Sequence, residues 1–289
     1  MNMSEILKDY LSHNKAFFEH LRNKKSINDR KDVDFAALSS KVHEEFDPIF
    51  VLSTGRNGTL LLTNLLGKSK EAIVLHEPEP ELSMPSKLAY EKHLSDPTFV
   101  SGMFEGARYE YLRTAFLLHK KYIETNNRIT FFAFEIAKLY PNSKFIHLVR
   151  NPSSFIKSGL GRNWYSGETL YDEARIVMND SKVWNTLNQY EKIAWLWNET
   201  NQFIEEFKTT IESTRVLTVK AEDLFKSVQI SNDIFTFCEL NPISNSAIAK
   251  IIGTKTNAGK AVLTDDKLLR NSQEKYCLLT QNYGYKSVF

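Results

Sequence analysis

The segment STGRNGTLL, Ser53 to Leu61, sets Arg56 between Gly55 and Gly58 and puts Thr59 at the start of an apolar run. Two glycines let a backbone curl so that successive N–H groups converge on an anion. A helix that follows adds the partial positive charge of its N-terminus. Arg56 supplies a full charge and a fork of donors, and Thr59 a hydroxyl, so the loop suits a phosphate or sulfate group. It is not the ATP-binding loop G-x-x-x-x-G-K-[ST]. Gly67-Lys68-Ser69 matches the end of that pattern, but Leu62 stands where its first glycine belongs. Those three residues also fall at the far end of the expected helix, where a Gly and a Lys suit a C-terminus.

A second anion-holding arrangement lies in KFIHLVRNPSSFIKSGLGRNW. FIHLV reads as a strand that Arg150 closes, and Asn151-Pro152 breaks it and opens a helix. Ser158 follows Arg150 by eight residues, about two turns along that helix. An arginine at a strand end and a serine on the next helix can hold one phosphate between them. Arg162 and Trp164 lie further along the same element; the plain reading of Arg150 is a surface ion pair, and that of Trp164 a core aromatic. In EAIVLHEPEPEL a strand-like run ends on His76 and Glu77 and is stopped by Pro78. Either side chain is a candidate general base. Neighbours on a strand point to opposite sides, so the two do not play the same part. Glu79 and Glu81 read as surface acids, and Glu135, closing ITFFAFE, as a third strand-end carboxylate. No spacing of His, Cys, Asp and Glu resembles a metal site, and no metal is expected.

The elements that must position these residues are legible in outline. PIFVLST, EAIVLHE, ITFFAFE, SKFIHLV and TRVLTVK are short apolar runs without polar alternation, as in strands buried on both faces of a parallel sheet. Between them TLLLTNLLGK, YEYLRTAFLLHKKYIE and YEKIAWLWNETNQFIEEFKTTIE read as helices. Strands alternating with helices predict right-handed crossovers and a three-layer α/β fold. In such sheets ligands bind at the carboxyl ends of the strands, where the two arginines and the His–Glu pair all stand. Ahead of the sheet, Ile6, Leu7, Tyr10, Leu11, Phe17, Phe18 and Leu21 have helical spacing behind Ser4 as a cap. A second short helix is expected from about Phe35 to Phe46. The reading is a single domain over residues 1–289, with 1–46 as a helical extension packed on it.

Composition narrows the function. Hydrophobic residues at 42% and charged residues at 25% of 289 are those of an ordinary globular chain. With 37 basic and 35 acidic residues the net charge is only +2, which gives no field for nucleic acid or a membrane surface. Two cysteines, Cys238 and Cys277, cannot build a disulfide framework and suit a reducing compartment. The polar start MNMSEILKDY is no secretory signal, and no run approaches the roughly 18 apolar residues of a membrane span. A cytoplasmic protein is expected.

Taken together, STGRNGTLL resembles the 5′-phosphosulfate loop of the sulfotransferase family, and LVRNPSSFIKSGLGRNW resembles its 3′-phosphate motif, in the same order and with the same Arg-to-Ser spacing. VKAEDLF and NYGY are similar to later parts of the family pattern. The resemblance implies a P-loop-like sheet of order 2-3-1-4-5 and 3′-phosphoadenosine 5′-phosphosulfate as sulfuryl donor. It implies donor contacts from Arg56, Asn57, Gly58, Thr59, Leu60, Arg150 and Ser158, and from Lys255 or Lys260 in GTKTNAGK. Asn57 and Leu60 depart from the hydroxyl residues common in the family, and Arg56 rather than Lys resembles the carbohydrate and bacterial branches. Arg56 would sit at the bridging oxygen between phosphate and sulfate; by resemblance to those branches Glu77 is the first choice of base and His76 the second.

The resulting expectation is sulfuryl transfer to a hydroxyl or amine of a small-molecule acceptor; the sequence specifies no oligomeric state. One rival is a nucleotide-dependent kinase, which needs a Lys-Ser/Thr pair that the first loop lacks. The other is a nucleotide-binding interaction protein without catalysis, which would bind donor and turn nothing over.

Overall fold

The computed structural model describes residues 34, 36–167, 172–254 and 263–286. In chain order these form α1 (Leu38–Glu45), β1 (Ile49–Leu52), α2 (Thr59–Leu66), β2 (Ala72–Leu75), α3 (Ser83–Lys92), α4 (Pro97–Leu117) and β3 (Lys121–Glu124). A 3-10 turn (Asn127–Phe132) leads into α5 (Ala133–Leu139), β4 (Lys144–Val149), α6 (Pro152–Leu160), α7 (Ser181–Thr186) and α8 (Gln189–Lys208). Then come β5 (Val216–Lys220), α9 (Ala221–Leu224), α10 (Val228–Phe237), α11 (Asn245–Ile252), α12 (Asp266–Tyr276) and a closing 3-10 turn (Leu278–Tyr283).

The five strands pair in parallel in the order β2-β3-β1-β4-β5, as expected. Every residue of β1 is buried, and its alternating side chains serve two layers. Phe50 and Leu52 join the core built with α4, α5, α6 and α8. Ile49 and Val51 join that of α2, α9, α10 and α11. The chain runs from β1 to β2 and β3 on one side of it and then crosses to β4 and β5 on the other, so the carboxyl end of β1 is the switch point where a crevice opens. Helix starts agree with their sequence signals. Asn151 accepts from Ser154 N ahead of Pro152 on α6, and Asn188 and Glu191 form a reciprocal capping box on α8.

One expected strand is replaced by another. ITFFAFE is not a strand: its residues form the 3-10 turn and the start of α5. The third strand is instead KYIE, the end of the run expected to be helical. Asn126 explains the switch, because its side chain accepts from Arg128 N and turns the chain immediately after β3. Phe131 and Phe134 then pack edge-on against Phe203 of α8. The helix expected near Phe35–Phe46 is α1; the one expected between Ser4 and Leu21 lies outside the described residues. Among the described residues no helix is long and apolar enough to cross a membrane. Cys238 and Cys277 are buried, unpaired thiols.

Candidate active site

The loop after β1 is tied down before it reaches Arg56. Ser53 N donates to Thr130 Oγ1 at 3.0 Å, and that hydroxyl donates back to Ser53 O at 3.1 Å. Gly55, Arg56 and Gly58 then take φ of 82°, 58° and 92°, a left-handed run in which only the glycines are free of steric cost. A Cβ on Gly58 would also lie 2.8 Å from the Phe225 ring, so the turn after β5 packs directly on this loop. Asn57 is fully buried; its Nδ2 donates to Leu148 O at 2.6 Å and to Thr54 Oγ1 at 3.1 Å. That amide pins the loop to β4, which leaves the backbone N–H as what Asn57 can offer a ligand. Thr59 and Leu60 form the first turn of α2, where backbone N–H groups have no intrahelical acceptor. The apolar side chain of Leu60 adds no donor to that turn.

Three guanidinium groups converge here. Arg150 Nη1 donates to Arg56 O at 2.7 Å, so the strand-end arginine braces the loop arginine. Among the described residues the buried Arg56 Nε has no hydrogen-bond partner. Burial, then the charges of Arg162 and Arg150, lower the Arg56 pKa, and Glu77 opposes them. Arg150 is lowered by burial, with Glu222 and Tyr285 opposing and Arg162 adding to the shift. Like charges gathered in a half-buried space are unfavourable until an anion joins them. The backbone around Arg150 is fixed. Trp197 Nε1 donates to Arg150 O at 2.9 Å, Asn151 N donates to Glu222 Oε1 at 3.0 Å, and the Tyr285 hydroxyl donates to Glu222 Oε2 at 2.7 Å. VKAEDLF and NYGY, far apart in sequence, thus meet beside Arg150. Ser158 is half-buried on α6.

The loop after β2 carries the candidate bases. His76 Nδ1 lies 2.7 Å from Thr125 O. A carbonyl only accepts, so Nδ1 carries the proton and the neutral ring keeps its lone pair on Nε2. Glu77 takes φ of 46°, turning the chain out of the strand, and its charge reaches Arg56. A wholly buried ion pair holds this turn: Arg108 Nε donates to Glu124 Oε2 at 2.8 Å. The same guanidinium donates to Pro80 O and Pro78 O, each at 3.1 Å. Tyr122 also donates to Glu124 Oε2, and Asn126 Nδ2 donates to its Oε1. Arg108 had no sequence signal, since it sits in a long helix where an arginine reads as a surface residue. Glu135 is not a strand-end carboxylate: it is buried in the first turn of α5 and paired with Lys138. Lys255 and Lys260 lie outside the described residues.

Beside Arg56 a cavity of about 220 Å³ begins at Ser53 and Thr54 and is walled by α3, the 3-10 turn after β3, residues 174–176 and α8. Neither of its arginines, Arg128 and Arg175, carries a signal in the sequence. With the third strand read at ITFFAFE, Arg128 stands just ahead of it, at the amino end of a strand and not at the carboxyl end where ligands bind. Of the two tryptophans of α8, Trp197 is buried and Trp195 lies edge-on against Trp184; from this helix Leu196 and Thr200 border the cavity.

Residues 48–241 match the model of the sulfotransferase family. Among solved structures the chain is similar to the sulfotransferase domain from the curacin biosynthetic pathway, at 17% identity and a TM-score of 0.52 over 84% of this chain and 99% of that one. It is also similar to a sulfotransferase from Mycobacterium avium, at 12% identity and a TM-score of 0.51 over 88% of this chain and 80% of the other. At these identities the likeness is one of fold. No curated protein matches the sequence.

Proposed function

The chain belongs to the sulfotransferase family, and from that premise we propose that it moves a sulfuryl group from 3′-phosphoadenosine 5′-phosphosulfate to a hydroxyl or amine of a small molecule. The observation that carries this reading is the convergence of Arg56, Arg150 and Arg162 beside the orphaned N–H groups of α2. In the proposed arrangement the loop and the first turn of α2 hold the 5′-phosphosulfate, and Arg150 with Ser158 holds the 3′-phosphate.

Transfer needs in-line geometry, a base for the nucleophile and charge stabilisation at the leaving oxygen. The acceptor oxygen or nitrogen forms a bond to sulfur as its proton passes to Glu77. The bond from sulfur to the bridging oxygen breaks, and its electron pair stays on the departing 5′-phosphate, where Arg56 meets the new charge. Glu77 is assigned as base because its charge already reaches Arg56; His76, with Nε2 as acceptor, is the second choice. Arg108 and Glu124 act as positioning residues, since they hold the turn that carries Glu77.

The test is calorimetric titration of the whole chain with 3′-phosphoadenosine 5′-phosphate, against ATP with magnesium. Micromolar binding of the bisphosphate with weak ATP binding supports the reading. Preference for ATP with magnesium dependence replaces it with a kinase, and binding of the bisphosphate without turnover on any acceptor replaces it with a non-catalytic binding protein.

A further inference from the structure

The cavity beside Arg56 has a chemistry of its own. It shares Ser53 and Thr54 with the loop that carries Arg56. Its Arg128 pairs through Nη1 with Glu81, in the same turn as Glu77. The space is therefore bounded by the proposed donor loop on one side and by the turn of the proposed base on the other, which is where an acceptor must lie. Among the described residues that line it there is no carboxylate, while Lys87, Arg128 and Arg175 are there.

The two arginines are built into place. The Arg175 guanidinium stacks on the Trp164 ring, 4.1 Å from its centroid. Its Nε donates to Asp172 Oδ1 at 3.2 Å, and Asp172 in turn accepts from Tyr165 N and Gly167 N. Both arginine side chains are mostly buried, at 23% and 20% exposure. Among the described residues each acid partner holds one edge of its arginine, Glu81 at Nη1 and Asp172 at Nε, which leaves the rest of each planar fork to the cavity. The charge of Arg128 acts against that of Arg175, adding to the effect of burial. Phe131, Ile176 and Leu196 supply an apolar flank.

Resting on the sulfuryl-transfer reading above, we propose that this cavity is the acceptor site and that it selects acceptors bearing an oxyanion group, held between Arg128 and Arg175 while the apolar body of the acceptor lies on Phe131, Ile176 and Leu196. A planar guanidinium fork matches carboxylate or phosphate in a bidentate way. The volume falls below the roughly 300–1,000 Å³ usual for drug-sized ligands, so the acceptor is a single ring or short chain.

The test uses the whole chain saturated with 3′-phosphoadenosine 5′-phosphate and titrated with three matched phenols: 4-hydroxyphenylacetate, 4-hydroxybenzylphosphonate and the neutral 4-hydroxyphenylacetamide. One or both anions should bind about tenfold or more tightly than the amide, the scale of a single charge-assisted hydrogen bond. Which anion is preferred separates a carboxylate acceptor from a phosphate one. Arg128→Gln and Arg175→Gln should each remove the preference and leave bisphosphate affinity unchanged, while Arg175→Lys should keep part of it. Equal binding of all three phenols, or binding of none, overturns the inference, and this comparison in the unsubstituted protein needs no variant to fold. Weakened bisphosphate binding in the glutamine variants also overturns it, because the cavity then belongs to the donor. Failure of the unsubstituted protein to bind the bisphosphate at all instead removes the sulfuryl-transfer reading beneath it.

Discussion

The two ends of the sheet treat cations in opposite ways. At the amino end Lys121 and Lys144, the first residues of β3 and β4, share Glu239, and Lys121 also pairs with Asp47. Burial alone would lower the Lys121 pKa, but its bonds to Asp47 and Glu239 raise it. At the carboxyl end Arg56 and Arg150 are lowered, by burial and by neighbouring arginines. Among the described residues neither has a carboxylate within ion-pair distance. Both ends follow from the same topology, which brings strand termini side by side. The difference lies in what the loops supply: carboxylates from Asp47 and Glu239 at one end, glycines and helix N–H groups at the other. Charge matched within the chain stabilises the fold; the unmatched charge is what the proposed donor's phosphates would neutralise.

The sharpest way to break this contrast is Arg56→Ala. Turnover should fall on the order of 10³-fold or more, the scale for an arginine at a transferring phosphoryl group. Thermal stability should hold or rise slightly, because a buried Nε without a partner and the repulsion from Arg150 and Arg162 are both removed. Unchanged kcat would take Arg56 out of the reaction. A large drop in melting temperature would mean that the carboxyl end is structural after all. Next in size, Glu77→Gln should lower kcat by about 10²-fold or more, the contribution of a positioned base, with bisphosphate affinity intact. Equal activity in that variant moves the role to His76.

A smaller effect separates donor binding from chemistry. Ser158→Ala should weaken bisphosphate binding by about 1–3 kcal/mol, the cost of leaving a polar partner unpaired, while the melting temperature of the free protein stays within experimental scatter. Unaltered affinity would show that Ser158 faces away from the anion. Arg150→Ala tests the same phosphate but is less clean, because Nη1 of Arg150 also braces Arg56 O. Its loss should therefore lower kcat as well as affinity.

How far these features were legible in sequence follows from where each signal is stored. β1 and β4 announce themselves because both faces are buried and nearly every residue is apolar. Arg56 and Arg150 announce themselves because glycine and proline mark the turns that follow those strands. β3 was hidden, since its lysine and glutamate look like helix-surface residues until Lys121 meets Asp47 and Glu124 meets Arg108. That misreading also hid Arg128, and with it one wall of the cavity. Arg108 and Arg175 carry no local mark at all: each gains its meaning from contacts with distant or looped segments, to Pro78 and Pro80 in one case and Trp164 in the other. Local patterns reveal residues whose backbone is special, whereas partners brought together by the fold stay silent.

The smallest effect belongs to the amino end. Hydrogen bonds from Lys121 and then Lys144 push the Glu239 carboxyl down from 4.5 to about 2. A depressed carboxylate stabilises the fold above its ordinary pKa, and the contribution fades as pH falls from about 4.5 toward 2. The side chain is 55% exposed, so solvent and salt screen the pairs and the gain is modest, about 0.2–1 kcal/mol. Glu239→Gln should therefore lower stability slightly at neutral pH, and less at high salt. Variant and parent should converge as the pH approaches the lower end of that window. Denaturant unfolding at a series of pH values reads this directly, alongside kcat at neutral pH, which should not change because Glu239 lies at the opposite end of the strands from Arg56. A loss of activity without a loss of stability would reverse the assignment of the two ends; a pH-independent loss of stability would mean that Glu239 acts through packing and not through charge.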